Sequence, residues 1–122
     1  MRPISLKIKG INSFCDEQTI NFEKLTKDGV FGIVGDTGSG KSTVLDAMTI
    51  ALYGNLSRDT NEFINKECDT AFVMLDFCVS EGENEIFYRA ERAFKRTGSK
   101  ECTAVTARLS KGKENPQIIA DK

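Results

Sequence analysis

The sequence predicts an α/β chain in which one strand–loop–helix unit is joined to an antiparallel, β-rich second half. Three observations carry this expectation. A continuous apolar run, Val30-Phe31-Gly32-Ile33-Val34, is bounded by Gly29 and Gly35. A glycine-rich loop follows and leads into an apolar stretch with helical spacing over residues 42–53. From Phe72 onward the apolar residues recur at every second position, with turn residues between the runs. A continuous run suits a strand covered on both faces, as in a parallel sheet, whereas alternation suits a strand covered on one.

Taken in order, the first element sets Ile4, Leu6 and Ile8 on one face and Ser5, Lys7 and Lys9 on the other. That is a half-buried strand, ended by Gly10 and followed by a turn at Asn12-Ser13-Phe14. Residues 19–22 read as a short returning strand and 24–29 as a polar loop. The apolar strand 30–34 comes next, then the helix over 42–53. Val44, Leu45, Ala47, Met48, Ile50, Ala51 and Leu52 make that helix apolar on almost every side, which predicts that it is buried all round. Gly54 stands where a C-terminal cap belongs. After a polar stretch over 55–70, strands are expected at 72–79, 87–94, 103–109 and 117–120. Turns fall at 80–85, around Gly98, and over 111–116.

Composition narrows the classes of function. The chain has 122 residues, 39% hydrophobic and 29% charged, which suffices for one small core. Seventeen basic against eighteen acidic residues leave a net charge of −1, so it lacks the field of an autonomous DNA-binding domain. Contact with nucleic acid would need a local patch or further polypeptide. There is no histidine, which removes histidine metal sites, Ser-His-Asp triads and Cys-His dyads. Cys15, Cys68, Cys78 and Cys102 form no C-x-x-C pair, so zinc is disfavoured and each reads as a small buried hydrophobe. No apolar run follows Met1 as in a signal peptide, and none reaches the ~18 residues of a membrane span. A cytoplasmic chain with reduced thiols and no membrane partner is expected.

The chemistry lies in Gly35-Asp36-Thr37-Gly38-Ser39-Gly40-Lys41-Ser42, which fits G-x-x-x-x-G-K-[ST], the phosphate-binding P-loop. Its glycines let the backbone approach phosphate oxygens closely, and successive N–H groups form an anion nest. The helix that starts near Lys41 adds its positive dipole end. Lys41 would place an ammonium on the β- and γ-phosphates, and Thr43 a hydroxyl on the α-phosphate. Ser42 offers the hard oxygen that Mg²⁺ prefers. A turn that merely caps a helix would leave the Lys-Ser pair and the preceding strand unexplained. Hydrolysis also needs an acid on Mg²⁺ and a group that positions water. Only Asp76, after Phe72-Val73-Met74-Leu75, stands as a candidate, and it lies mid-strand before a hairpin turn.

The stretches ISLKIKGINSF and INFEKL, and the run GVFGIVGDTGSGKSTVLDAMTIALYG, resemble the start of the SbcC-type ATPases of DNA double-strand-break repair, relatives of the SMC and RecF proteins. The likeness covers residues 1–54 closely and extends more loosely through FYRAERAF. It implies the P-loop lobe, lobe I, of an ABC-type ATPase head with an antiparallel β subdomain, spanning 1–122. It also implies ATP and Mg²⁺ as ligands. The partners it implies are a C-terminal lobe of the same chain, a second head in a homodimer, an SbcD-type nuclease, and DNA. By position, Asn12, Ser13, Asn65 and Lys66 join residues 35–43 around the nucleotide. No signature motif or Asp-Glu pair after an apolar strand is found, so this stretch alone is not expected to hydrolyse ATP.

Two other readings stand beside this one. In the first, a complete small P-loop protein or kinase uses Asp76 as its metal acid. In the second, a β-rich interaction domain keeps a vestigial loop and presents Lys7 and Lys9 to an acidic partner.

Overall fold

The computed structural model describes residues 2–11, 14–22, 41–54, 64–65, 67–96, 102–112 and 117–121. The elements run β1 (Arg2–Lys9), β2 (Gln18–Asn21), α1 (Lys41–Tyr53), β3 (Thr70–Glu81), β4 (Asn84–Arg96), β5 (Cys102–Lys111) and β6 (Gln117–Asp121). The six strands among the described residues belong to one antiparallel sheet, in the order β2-β1-β3-β4-β5-β6. The expected parallel strand 30–34 lies outside the described residues.

The alternating runs fold as expected, but their ladders reach further. β3 and β4 pair from Thr70↔Lys95 to Glu81↔Asn84, so polar residues at both ends join the hairpin. Gly82, at φ 63°, makes the tight turn. A backbone already in register continues pairing after its apolar pattern stops, because each added rung satisfies two backbone groups.

The half-buried strand expected at Ile4–Lys9 is β1, and it inserts into the sheet beside β3, with Leu6↔Leu75 and Ile8↔Val73 in register. Pro3 falls at the irregularity between Pro3 and Ser5 in this ladder, where its missing N–H is tolerated.

Helix α1 packs against β3 and β4. Alternation then directs Leu6, Ile8, Ala71, Val73, Leu75, Phe77, Ala90 and Phe94 toward it. With Val44, Ala47, Ile50, Ala51, Ile11, Phe22 and Ile64 these form the core cluster. Phe77 stacks on its register partner Tyr88, centroids 5.5 Å apart and planes 18° apart. The expectation that α1 is buried all round is corrected. Leu45 is 56% and Tyr53 73% exposed, so the helix covers the sheet with one side only. Among the described residues no helix is long and apolar enough to cross a membrane.

The C-terminal end of α1 is closed twice. Gly54, at φ 83°, donates its N–H to the Ile50 carbonyl at 2.8 Å, the left-handed cap expected there. Because α1 has no basic residue in its last turn, the cation comes from the sheet. Arg92 donates Nε–H to the Ala51 carbonyl at 3.0 Å and Nη2–H to Leu52 at 3.4 Å.

Candidate nucleotide site

Residues 35–40 of the P-loop lie outside the described residues, as do Asn12, Ser13 and Lys66. What the structure describes is the helix that follows the loop in sequence. The helix begins at Lys41, so Lys41, Ser42 and Thr43 occupy its first turn, where backbone N–H groups have no partner within the helix. That turn holds no acidic residue, so no carboxylate of its own competes for an incoming anion. An N–H-rich helix start, a lysine, and hydroxyl oxygens from Ser42 and Thr43 form a donor set that fits a phosphate chain with Mg²⁺.

Of the other residues named from the resemblance, only Asn65 is described. Ile11 bridges to both Phe14 and Ile64, and Asn65 donates its N–H to the Gly10 carbonyl at 2.8 Å. Gly10 and Ile11 therefore lie against Ile64 and Asn65. Gly10 itself lies close against the start of β3. It has φ 71°, and a Cβ there would run into the Thr70 carbonyl oxygen.

Asn65 organises its own turn. Its side-chain Oδ1 accepts the Glu67 N–H at 2.8 Å, and its carbonyl accepts from Cys68 N–H at 2.9 Å. Arg96, from β4, holds this turn by donating Nη2–H to the carbonyls of Asn65 at 2.9 Å, Cys68 at 3.2 Å and Ile64 at 3.3 Å. Sequence reasoning missed Arg96 and Arg92, because an arginine on an alternating strand carries no sign of which carbonyl it will meet.

Asp76 is not placed to hold a metal. It lies mid-β3, on the face opposite α1, only 7% exposed. Its Oδ1 accepts from Arg89 Nε at 2.7 Å, and its Oδ2 from Arg89 Nη2 at 3.0 Å and Ser5 Oγ at 3.2 Å. Arg89 is the direct cross-strand partner. The Asp76 hydrogen bond holds the Arg89 guanidinium above its already high range, against the opposing pull of burial. These oxygens are committed to a structural ion pair, so the metal-acid role is corrected. A hollow of about 580 Å³ opens on that face beside Asp76, Arg89, Phe87 and Ile118. Its Asp76 and Arg89 neutralise each other, and α1 lies on the opposite side of the sheet.

The four cysteines looked scattered, and two of them are not. Cys15 Sγ and Cys68 Sγ lie 2.8 Å apart. No group of three or more metal-ligating side chains occurs among the described residues.

A family model described as "AAA domain" matches residues 5–122. The SbcC subunit of the nuclease SbcCD from Bacillus subtilis (strain 168) is 46% identical over 125 aligned residues, taking in all of this chain and 11% of the relative. Its namesake in Clostridium acetobutylicum is 51% identical over 102 residues, 81% of this chain and 9% of that protein. A "Probable DNA double-strand break repair Rad50 ATPase" of Aquifex aeolicus is 36% identical over 100 residues, 78% of this chain and 10% of that protein. The chain thus spans about a tenth of the length of these relatives.

Proposed function

Since the chain belongs to the AAA-domain family and is of the SbcC type, we propose that it is the ATP-binding lobe of a DNA double-strand-break repair ATPase. The observation that carries this reading is the P-loop motif running into the start of α1 at Lys41. Lys41 binds the β- and γ-phosphates, Ser42 ligates Mg²⁺, and the loop N–H groups of residues 35–40 wrap the phosphate chain. Thr43 reaches the α-phosphate. Asn12, Ser13, Asn65 and Lys66 contribute from the two segments that meet at Gly10 and Ile11. Bound Mg²⁺ neutralises phosphate charge, and the protein supplies position.

In this reading the lobe is lobe I of an ABC-type head, and the sheet with α1 is its β-rich part. Hydrolysis belongs to a larger assembly: a C-terminal lobe of the same polypeptide brings the acids, and a second head completes the nucleotide sandwich. The ATPase then drives an SbcD-type nuclease on DNA in the cytoplasm. The commitment of Asp76 to Arg89 favours this division of labour over a self-sufficient small enzyme.

The test is calorimetric titration with Mg-ATP. Lys41→Ala should weaken binding by at least ~2 kcal/mol, about thirtyfold, the scale of a lost hydrogen bond to a charged group. Unchanged affinity would refute the P-loop assignment. Residues 1–122 alone should release phosphate at background rate, with turnover restored by the C-terminal part of the polypeptide.

A further inference from the structure

Cys15 and Cys68 are separated by 53 positions in sequence, yet one thiol donates to the other across 2.8 Å. Both are free and half-buried. The nucleotide reading uses neither. Their approach is set by the backbone. The Cys68 N–H is tied to Asn65, the Cys68 carbonyl to Arg96, and the Asn65 N–H to Gly10, at distances of 2.9, 3.2 and 2.8 Å. On the other side Ile11 bridges to Phe14, next to Cys15. A disulfide has its sulfurs ~2.05 Å apart, so closure asks for a further approach of about 0.8 Å.

We infer that Cys15 and Cys68 are a reversible redox pair, which a hydroperoxide closes into a disulfide tying the β1–β2 connection to the entry of β3. The Cys68 sulfur attacks the peroxide; the O–O bond breaks, the alcohol leaves with the thiol proton, and a sulfenic acid remains on Cys68. The Cys15 sulfur then attacks that sulfur. The S–S bond forms, the S–O bond breaks, and the departing hydroxide takes the Cys15 proton and leaves as water. The peroxide gains two electrons, one from each sulfur. A small dithiol reverses the reaction by exchange, itself becoming a cyclic disulfide.

The surroundings of Cys15 suit a sulfur that reacts second. The hydrogen bond to Cys68, burial, and the charges of Cys68, Asp16 and Glu67 push the Cys15 thiol up to about 11. Cys15 therefore keeps its proton until its neighbour is oxidised, which suits the resolving sulfur. Cys78 is buried inside β3, in register with Arg2 and Phe87, and has no part in the pair.

The test treats the full-length protein with hydrogen peroxide, blocks remaining thiols, and maps tryptic peptides without reduction. The expected product joins peptide 10–24 to peptide 67–89, lighter than their sum by two hydrogens and separated again by dithiothreitol. Peptide 67–89 also carries Cys78, so the link must persist in Cys78→Ser and vanish in Cys68→Ser. Linkage of Cys15 to Cys78 or Cys102 would overturn the proposal. So would recovery of Cys15 and Cys68 only as free thiols, sulfinic acids or glutathione adducts from wild-type protein. Wild-type mapping suffices for either outcome, so a variant that fails to fold does not shelter the idea.

Discussion

Arg92 on β4 closes the C-terminal end of α1, with its Nε–H on the Ala51 carbonyl at 3.0 Å. The helix that carries the phosphate loop at one end is thereby fastened to the sheet at the other. Its macrodipole is met by a cation that its own last turn does not contain. Arg92→Ala should cost about 1–2 kcal/mol locally, the scale of charged hydrogen bonds at a helix end. Amide exchange in the last turn of α1 should then quicken roughly tenfold, since ~1.4 kcal/mol is tenfold in a local opening equilibrium. Protection that is unchanged would show that Gly54 alone holds the end.

Two glycines allow a controlled comparison. Gly10 and Gly82 both have positive φ, 71° and 63°, but a Cβ at Gly82 meets nothing within 4 Å whereas one at Gly10 meets the Thr70 carbonyl. Gly82→Ala should cost about 1 kcal/mol, the backbone penalty alone. Gly10→Ala should cost at least ~2–3 kcal/mol, because backbone must also move. Denaturation midpoints that rank the two the other way would count against the packing of segment 10–11 on β3.

Asp76 separates stability from nucleotide chemistry. Asp76→Ala leaves Arg89 without its partner and should destabilise by about 2 kcal/mol, less than a fully buried pair because the arginine side chain is 42% exposed. Affinity for Mg-ATP should not change. A variant that melts normally but binds Mg-ATP without its usual Mg²⁺ dependence would restore the metal-acid role.

Two groups set opposite pH dependences. Hydrogen bonding to Arg2 holds the Glu85 carboxyl below its usual range, so its contribution is present at neutral pH and is lost as pH falls through the lowered value. That pair is exposed, and Arg2→Ala should shift the melting point little. The Cys15 thiol is raised from 9.0 to about 11, so its contribution is complete below pH 9 and declines between those two values. Alkylation of Cys15 at pH 8 should accordingly lag behind that of a free cysteine. Labelling as fast as the free amino acid would show that the hydrogen bond to Cys68 does not form in solution.

Much of this was legible in the sequence because it is local. Period-two alternation located the strands, and an apolar run ending at Gly54 located the helix and its cap. The Asp76–Arg89 pair was within reach too, since counting back from the turn at Gly82 and Glu83 sets those residues opposite each other. Other features depend on pairing at long range. Nothing in Leu6 or Ile8 names β3 as the neighbour, and nothing in the spacing of Cys15 and Cys68 announces contact. The outward exposure of Leu45 and Tyr53 was hidden for a related reason: apolarity records what a helix could bury, not what is present to cover it.

The insertion of β1 beside β3 also sets a timetable for biosynthesis. Leu6 leaves the ribosome 69 residues before its rung partner Leu75, a delay of roughly 3–14 s at about 5–20 residues per second. Among the described residues made in that interval, β1 pairs with the four-residue β2 alone, and a lone two-stranded ribbon is marginal in water. The meander from β3 to β6, whose partners are neighbours in sequence, forms without such a wait. β1 is thus made before its main partner β3 and seated late.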